Sequence, residues 1–115
     1  MFDPLSFAEL RAANVARCDS GSFGNHTLAS WNVLEWAGAM CGEAGESANV
    51  AKKIRRGDYS HDSSDYNAKE DLAKELADVV TYADLCAARM GIDLGAAVRA
   101  KWNEVSERVG YEGRL

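Results

Sequence analysis

The only proline of this sequence is Pro4. The chain beyond it therefore lacks the one residue that both removes a helical hydrogen bond and clashes with the preceding turn. Nineteen alanines are spread along it, the strongest helix formers of all. Strand signals are missing: no stretch alternates convincingly, and β-branched residues are sparse. These features predict an all-α chain.

Four helical segments can be read. The first runs from about Ser6 to Cys18, with Phe7, Leu10, Asn14 and Val15 on one side, and ends before Asp19-Ser20-Gly21. The second is long, from about Leu28 to Arg56, and stops at Gly57, a natural residue for a left-handed helix end. A polar loop follows over Asp58–Tyr66, with Ser60, Ser63 and Ser64. The third starts with a capping-box pattern, Asn67 and Glu70, and ends at Gly91. The fourth starts with Asp93 as N-cap and runs to about Val109. Short links between four helices predict a four-helix, bundle-like fold built on two long antiparallel core helices.

At 115 residues the chain is one domain, 1–115, able to bury one modest core. Thirteen Lys+Arg against 18 Asp+Glu give a net charge of −5, which argues against nucleic acid as a partner. No apolar run approaches the roughly 18 residues a membrane span needs. The N-terminal residues lack a charged region followed by an apolar one, so no signal peptide is expected. Cys18, Cys41 and Cys86 form no CxxC pair and read as reduced thiols of a cytoplasmic protein. His26 and His61 have no ligand spacing.

The helical wheels carry the functional signal. With Trp36 at zero on the second helix, Ile54 falls at about 0°, Met40 at 40°, Val33 and Ala51 at 60°, Ala44 at 80°, Val50 at −40° and Ala39 at −60°. Glu43 lands at about −20°, inside this apolar arc, and Glu46 at about −80°, on its edge. On the third helix, with Leu76 at zero, the core arc holds Leu72, Ala73, Val79, Val80, Ala83, Ala87 and Met90. Glu75 lies at about −100° just beyond Cys86, Asp78 at about −160°, and Tyr82 between them at about −120°. Each long helix thus carries an acid pair at i and i+3, beside or inside its apolar stripe.

Most such pairs are solvated surface, because glutamate is a good helix former. Two pairs with one spacing, one of them inside a core arc, are harder to explain that way. Antiparallel packing brings the four carboxylates together. Two like charges ~4 Å apart repel by about 4 kcal/mol at an effective dielectric near 20. The cluster therefore needs protons, basic partners or a metal. Hard oxygen donors without His or Cys point to Mg²⁺, with Mn²⁺ as a substitute. A di-iron carboxylate bundle needs Glu-x-x-His pairs, and neither histidine follows a glutamate by three.

The acids lie in longer matching segments. Gly42-Glu43-Ala44-Gly45-Glu46 followed, after 28 intervening residues, by Glu75-Leu76-Ala77-Asp78 resembles the ExxE…ExxD signature of the MazG-like, all-α nucleoside triphosphate pyrophosphohydrolases. Trp36 through Gly57 resembles that family's first long helix, and Leu72 through Met90 its second. Lys101-Trp102-Asn103-Glu104-Val105-Ser106-Glu107-Arg108 resembles the family's KFNxxSxR ending, with Trp102 where Phe is commoner. The resemblance implies cleavage of the α–β phosphoanhydride of a nucleoside triphosphate, giving the monophosphate and pyrophosphate. It implies Glu43, Glu46, Glu75 and Asp78 as Mg²⁺ ligands. Glu43 or Glu46 would also take the proton of the attacking water, and the sequence does not choose between them. A homodimer or a dimer of dimers is implied as well, along with a last helix that closes the nucleotide site.

Further residues are weighed against bland readings. Lys52, Lys53, Arg55 and Arg56 close the second helix, where basic residues favour the dipole anyway. Lys53 shares the acid side, which makes it the candidate for a triphosphate clamp. Tyr82 follows Asp78 by four and is a candidate to contact base or sugar; half-buried packing is its alternative role. Trp36 belongs to the core, whereas Trp31 is a candidate wall of a base pocket. Lys101, Asn103 and Arg108 on the fourth helix are substrate candidates mainly through the resemblance, against a solvated mixed-charge helix. His61 and Cys41 read as non-catalytic. The rival function for the chain as a whole is a catalytically silent helical interaction module of the same fold.

Overall fold

A computed structural model describes residues 3–22, 24, 26–58 and 64–115, and of 64–66 the backbone alone. Among these residues the regular elements are all helical: α1 Phe7–Asp19, α2 Val33–Arg56, α3 Ser64–Arg89 and α4 Leu94–Arg108, with a 3₁₀ turn at Leu28–Ser30. The described residues contain no strand. None of their helices is long and apolar enough to cross a membrane.

Local chemistry sets most helix ends. Ser6 caps α1 and exchanges hydrogen bonds with Glu9 in a full capping box. Asn32 and Glu35 do the same for α2, and Asp93 accepts from the Ala96 N–H at the start of α4. Each such cap stabilises its helix by about 1 kcal/mol. At the other end of α2, Gly57 adopts φ 82°, and Asp58 N–H reaches back to Lys53 C=O at 2.9 Å. That is the Schellman ending, which a residue with a Cβ enters only at a cost.

Two expected starts shift. The second helix begins at Val33 rather than Leu28, because the Asn32–Glu35 capping box supplies the stop signal. Trp31 therefore lies before the helix in extended conformation (φ −105°, ψ 143°). The third helix is already helical at Ser64, so Asn67 is an exposed helical residue and not its cap. A capping pattern acts only where the backbone leaves the helical conformation, and here it does not. Of the expected polar loop Asp58–Tyr66, residues 59–63 lie outside those described, Ser60, His61 and Ser63 among them.

α2 and α3 form an antiparallel hairpin. Cys86 Sγ near the end of α3 lies 3.9 Å from the Val33 carbonyl at the start of α2, and Trp36 pairs with Tyr82 at 6.3 Å between ring centroids. The buried apolar centre is Cys18, Trp36 and Leu85, with Leu28, Trp31, Tyr82 and Cys86 packed on it. α1 crosses the far side of α3 and is held there by a buried acid. Asp84 is 0% exposed and accepts from Arg11 Nε and Asn14 Nδ2, both at 3.0 Å. Arg11 also donates to the Ile92 carbonyl at 2.7 Å, which ties in the turn before α4. α4 packs on α1, where Phe7 covers Gly95 so closely that a Cβ there would stand 3.1 Å from the Phe7 Cβ.

The core of α3 is not centred where the wheel puts it. Leu76, Val80 and Met90 are 51%, 47% and 59% exposed. The row against α2 is instead Ala68, Glu75, Val79, Tyr82 and Cys86, all buried or half-buried and turned by about 100° from Leu76. Val33, Ile54, Ala44 and Ala51 of the expected α2 arc are likewise exposed.

Candidate metal centre

The row of α2 that meets α3 runs through Trp36, Met40, Glu43, Ser47 and Val50, at alternating steps of three and four. Glu43 is therefore half-buried within the helix–helix contact, as its place in the apolar arc requires. Glu75 takes the matching place on α3. One carboxylate oxygen each of Glu43, Glu75 and Asp78 lies within 4.8 Å of the other two. Asp78 is the exposed member and opens the cluster to solvent.

Within this cluster, Glu43 Oε2 and Glu75 Oε2 are buried and accept no hydrogen bond. A buried carboxylate oxygen without a donor is costly, and carboxylates bring no donors to one another unless protonated. The electrostatics follow. Burial, then the charges of Glu46, Asp78 and Glu75, raise the Glu43 carboxyl above its ordinary value of 4.5. The Glu75 carboxyl is raised chiefly by the close approach of the Glu46 carboxyl, with which it would share a proton, then by burial and by the charges of Glu46, Asp78 and Asp71. A divalent cation would answer both demands, neutralising the charge and occupying the two orphaned oxygens. The donor set is all oxygen, which suits Mg²⁺ or Mn²⁺.

Glu46 stands apart from the three-oxygen group. It is exposed, yet its carboxyl presses on both Glu43 and Glu75. Asp71 was not among the expected acids, although it precedes Glu75 by four and so lies on the same face. That spacing was the available signal.

Tyr82 borders the acids. Its phenol is raised by burial first and then by Glu43 and Asp78. A row of rings extends from it: Tyr82 to Trp36, Trp36 to Trp31 at 4.6 Å, and Trp31 to His26 at 4.6 Å. Trp31 enters this row because it precedes the helix; Arg89 Nε holds its carbonyl at 2.8 Å. The aromatic role of His26 has no signature in the sequence. Lys53 is exposed in the last turn of α2, two turns beyond Glu46 and on the same side.

The α4 candidates are not gathered with the acids in this chain. Lys101 contacts Glu104 at 3.4 Å. Asn103 is engaged by the backbone of Leu115, which donates to its Oδ1 at 2.9 Å. Arg108 ends the helix. No family model matches the chain, and neither a curated protein nor a solved structure matches it significantly.

Proposed function

We propose that this protein is a divalent-metal-dependent hydrolase that cleaves a nucleoside triphosphate at the α–β phosphoanhydride to the monophosphate and pyrophosphate. The observation that carries this reading is the pair of orphaned, buried oxygens of Glu43 and Glu75 beside Asp78, on facing helices. The choice of substrate rests on the family resemblance.

In this reading Glu43, Glu75 and Asp78, joined by Glu46, hold Mg²⁺. The ion supplies charge neutralisation for the triphosphate oxygens and lowers the pKa of a water. Glu46, exposed beside the cluster, accepts the proton of the attacking water, and Glu43 is the other candidate. Lys53 and its basic neighbours offset the charge that develops on pyrophosphate. Tyr82 and Trp31, both half-buried and backed by the buried Trp36 ring, offer apolar surface for base and sugar. The roles of Lys101, Asn103 and Arg108 toward substrate rest on the resemblance alone.

The test is a panel of ribo- and deoxyribonucleoside triphosphates with Mg²⁺, read for both products. Equimolar monophosphate and pyrophosphate from at least one nucleotide supports the reading. Primary release of orthophosphate and a diphosphate overturns it. No turnover, with Mg²⁺ still raising the melting temperature, would favour the silent helical module.

A further inference from the structure

Residues 26–31 lie between α1 and α2 and carry His26 and Trp31. Side chains from three helices hold their main-chain groups. Cys18 Sγ donates to the His26 carbonyl at 3.1 Å, Asp19 accepts the Leu28 N–H at 2.9 Å, and Trp36 Nε1 donates to the Leu28 carbonyl at 3.1 Å. From the last turn of α3, Arg89 Nε donates to the Trp31 carbonyl at 2.8 Å. That bond is charge-assisted and so among the stronger kind.

These bonds decide between two conformations. The sequence pattern carries the second helix back to Leu28, and a helix begun there would pair the Leu28 and Trp31 carbonyls with the N–H groups of Asn32 and Glu35. Here both carbonyls go to side chains instead, Leu28 to Trp36 and Trp31 to Arg89. The two N–H groups go to side chains as well, Asn32 to Glu35 Oε1 at 3.1 Å and Glu35 to Asn32 Oδ1 at 2.8 Å. Trp31 is thereby kept extended, its ring 4.6 Å from Trp36 and 4.6 Å from His26. Wound into the helix, it would stand five residues before Trp36 and about 140° round from it, and the row of rings would break. Arg89 does not serve its own helix end. A cation in a last turn commonly answers the orphan carbonyls there. In α3 the Ala87 carbonyl already accepts from Met90 and Ile92 N–H, and the Ala88 carbonyl from Gly91 N–H.

We infer, resting on the proposed nucleotide hydrolase, that Arg89 is a positioning residue for base selectivity: it fixes Trp31 as the wall against which a base stacks, and acts on substrate only through that ring. A fixed aromatic wall ranks bases by how well their faces and edges fit it, and a mobile one ranks them poorly. The acids stand on other residues, so loosening Trp31 changes which base is accepted more than it changes hydrolysis.

Steady-state kinetics with Mg²⁺ over a panel of nucleoside triphosphates tests it. Arg89→Met keeps the shape of the side chain as far as the ε atom and removes the donor. It raises KM for the preferred nucleotide about tenfold with a much smaller change in kcat, and compresses the ratio of kcat/KM between best and poorest base about tenfold. That ratio does not depend on the fraction of folded enzyme, so a merely structural role leaves it unmoved. Arg89→Gln returns an N–H to the ε position and restores most of the ratio. In a Trp31→Ala background Arg89→Met changes the ratio no further, because both act through one contact. Should Arg89→Met lose its helicity by circular dichroism, Arg89→Lys, whose nitrogen lies one atom past the ε position, compresses the ratio about threefold. Nucleotide hydrolysis with the wild-type ratio kept in the folded Arg89 variant overturns the inference and leaves the hydrolase standing. So does a further fall in ratio in the double variant, or a wild type that hydrolyses every base alike. A wild type that hydrolyses no nucleotide, and whose tryptophan fluorescence none of them changes, overturns both.

Discussion

Glu43 on α2 and Glu75 on α3 face each other across the helix contact, each with a buried Oε2 that accepts no hydrogen bond. Two apolar residues in these places would pack the hairpin better. The chain keeps two carboxylates there, and with Asp78 it holds three of their oxygens within 4.8 Å. The carboxylates repel one another, and melting with and without a divalent cation reads that repulsion.

Replacing either buried acid should separate stability from activity. Glu43→Gln and Glu75→Gln are expected to melt higher than wild type in EDTA, because each removes a repelling charge and adds a donor. Both should lose the stabilisation by Mg²⁺. Turnover should fall about a hundredfold or more, equivalent to ~2.7 kcal/mol of barrier. Asp78→Asn should lose turnover with a smaller gain in stability, since it is exposed. Melting curves with and without Mg²⁺, beside pyrophosphate release, check this; lower melting of every variant in EDTA would contradict the clustering.

The same pair sets a pH dependence. Both carboxyls titrate above their ordinary value of 4.5 in the folded chain. A group that binds its proton more tightly when folded favours folding while protonated. Its contribution is full below the unfolded value and is lost as pH rises through the raised folded value. In EDTA the urea midpoint of wild type should therefore fall as pH rises above the ordinary carboxyl value of 4.5 and through the raised folded values. The Glu43→Gln/Glu75→Gln double variant should fall less steeply. Equal slopes would refute the coupling. Mg²⁺ affinity should rise over the same interval, because cation and proton compete for the same oxygens.

Arg11 should matter far from the acids. Its guanidinium and Asn14 are the donors to fully buried Asp84. Arg11→Leu leaves that carboxylate underpaired and is expected to lower stability by about 3–5 kcal/mol. Arg11→Leu/Asp84→Leu should recover most of the loss, because an apolar pair of similar volume often replaces a buried ion pair without penalty. Urea unfolding of the two variants decides; a double variant as unstable as the single would argue against the pair as the cause.

Hydrolysis in ¹⁸O-water locates the attack. In the proposed reaction, water oxygen would bond to the α-phosphorus, the bond from it to the bridging oxygen would break, and pyrophosphate would leave with the electron pair. The water's proton would pass to Glu46 or Glu43. No serine or cysteine stands with a basic partner among the described acids, so no covalent phosphoenzyme is expected. Mass spectrometry should find the label in the monophosphate. Label in pyrophosphate would move attack to the β-phosphorus.

The sequence by itself determined the helices, most of their ends and the acid pairs. Ser6–Glu9, Asp93 and Gly57 act through neighbours a few residues away, so their effect is legible without a fold. Asn67–Glu70 has the same pattern and does not cap, because helical backbone already precedes it. Glu43 could be placed in the helix contact because a carboxylate inside an apolar arc is conspicuous on a wheel. Only the tertiary structure decided which arc of α3 meets α2. Periodicity marks the apolar arc around Leu76, but not which neighbour covers it, and the hairpin uses the mixed row through Glu75, Val79 and Tyr82 instead. Trp31 beside His26, and α4 against α1, are likewise set by packing between segments distant in the chain, which no local pattern encodes.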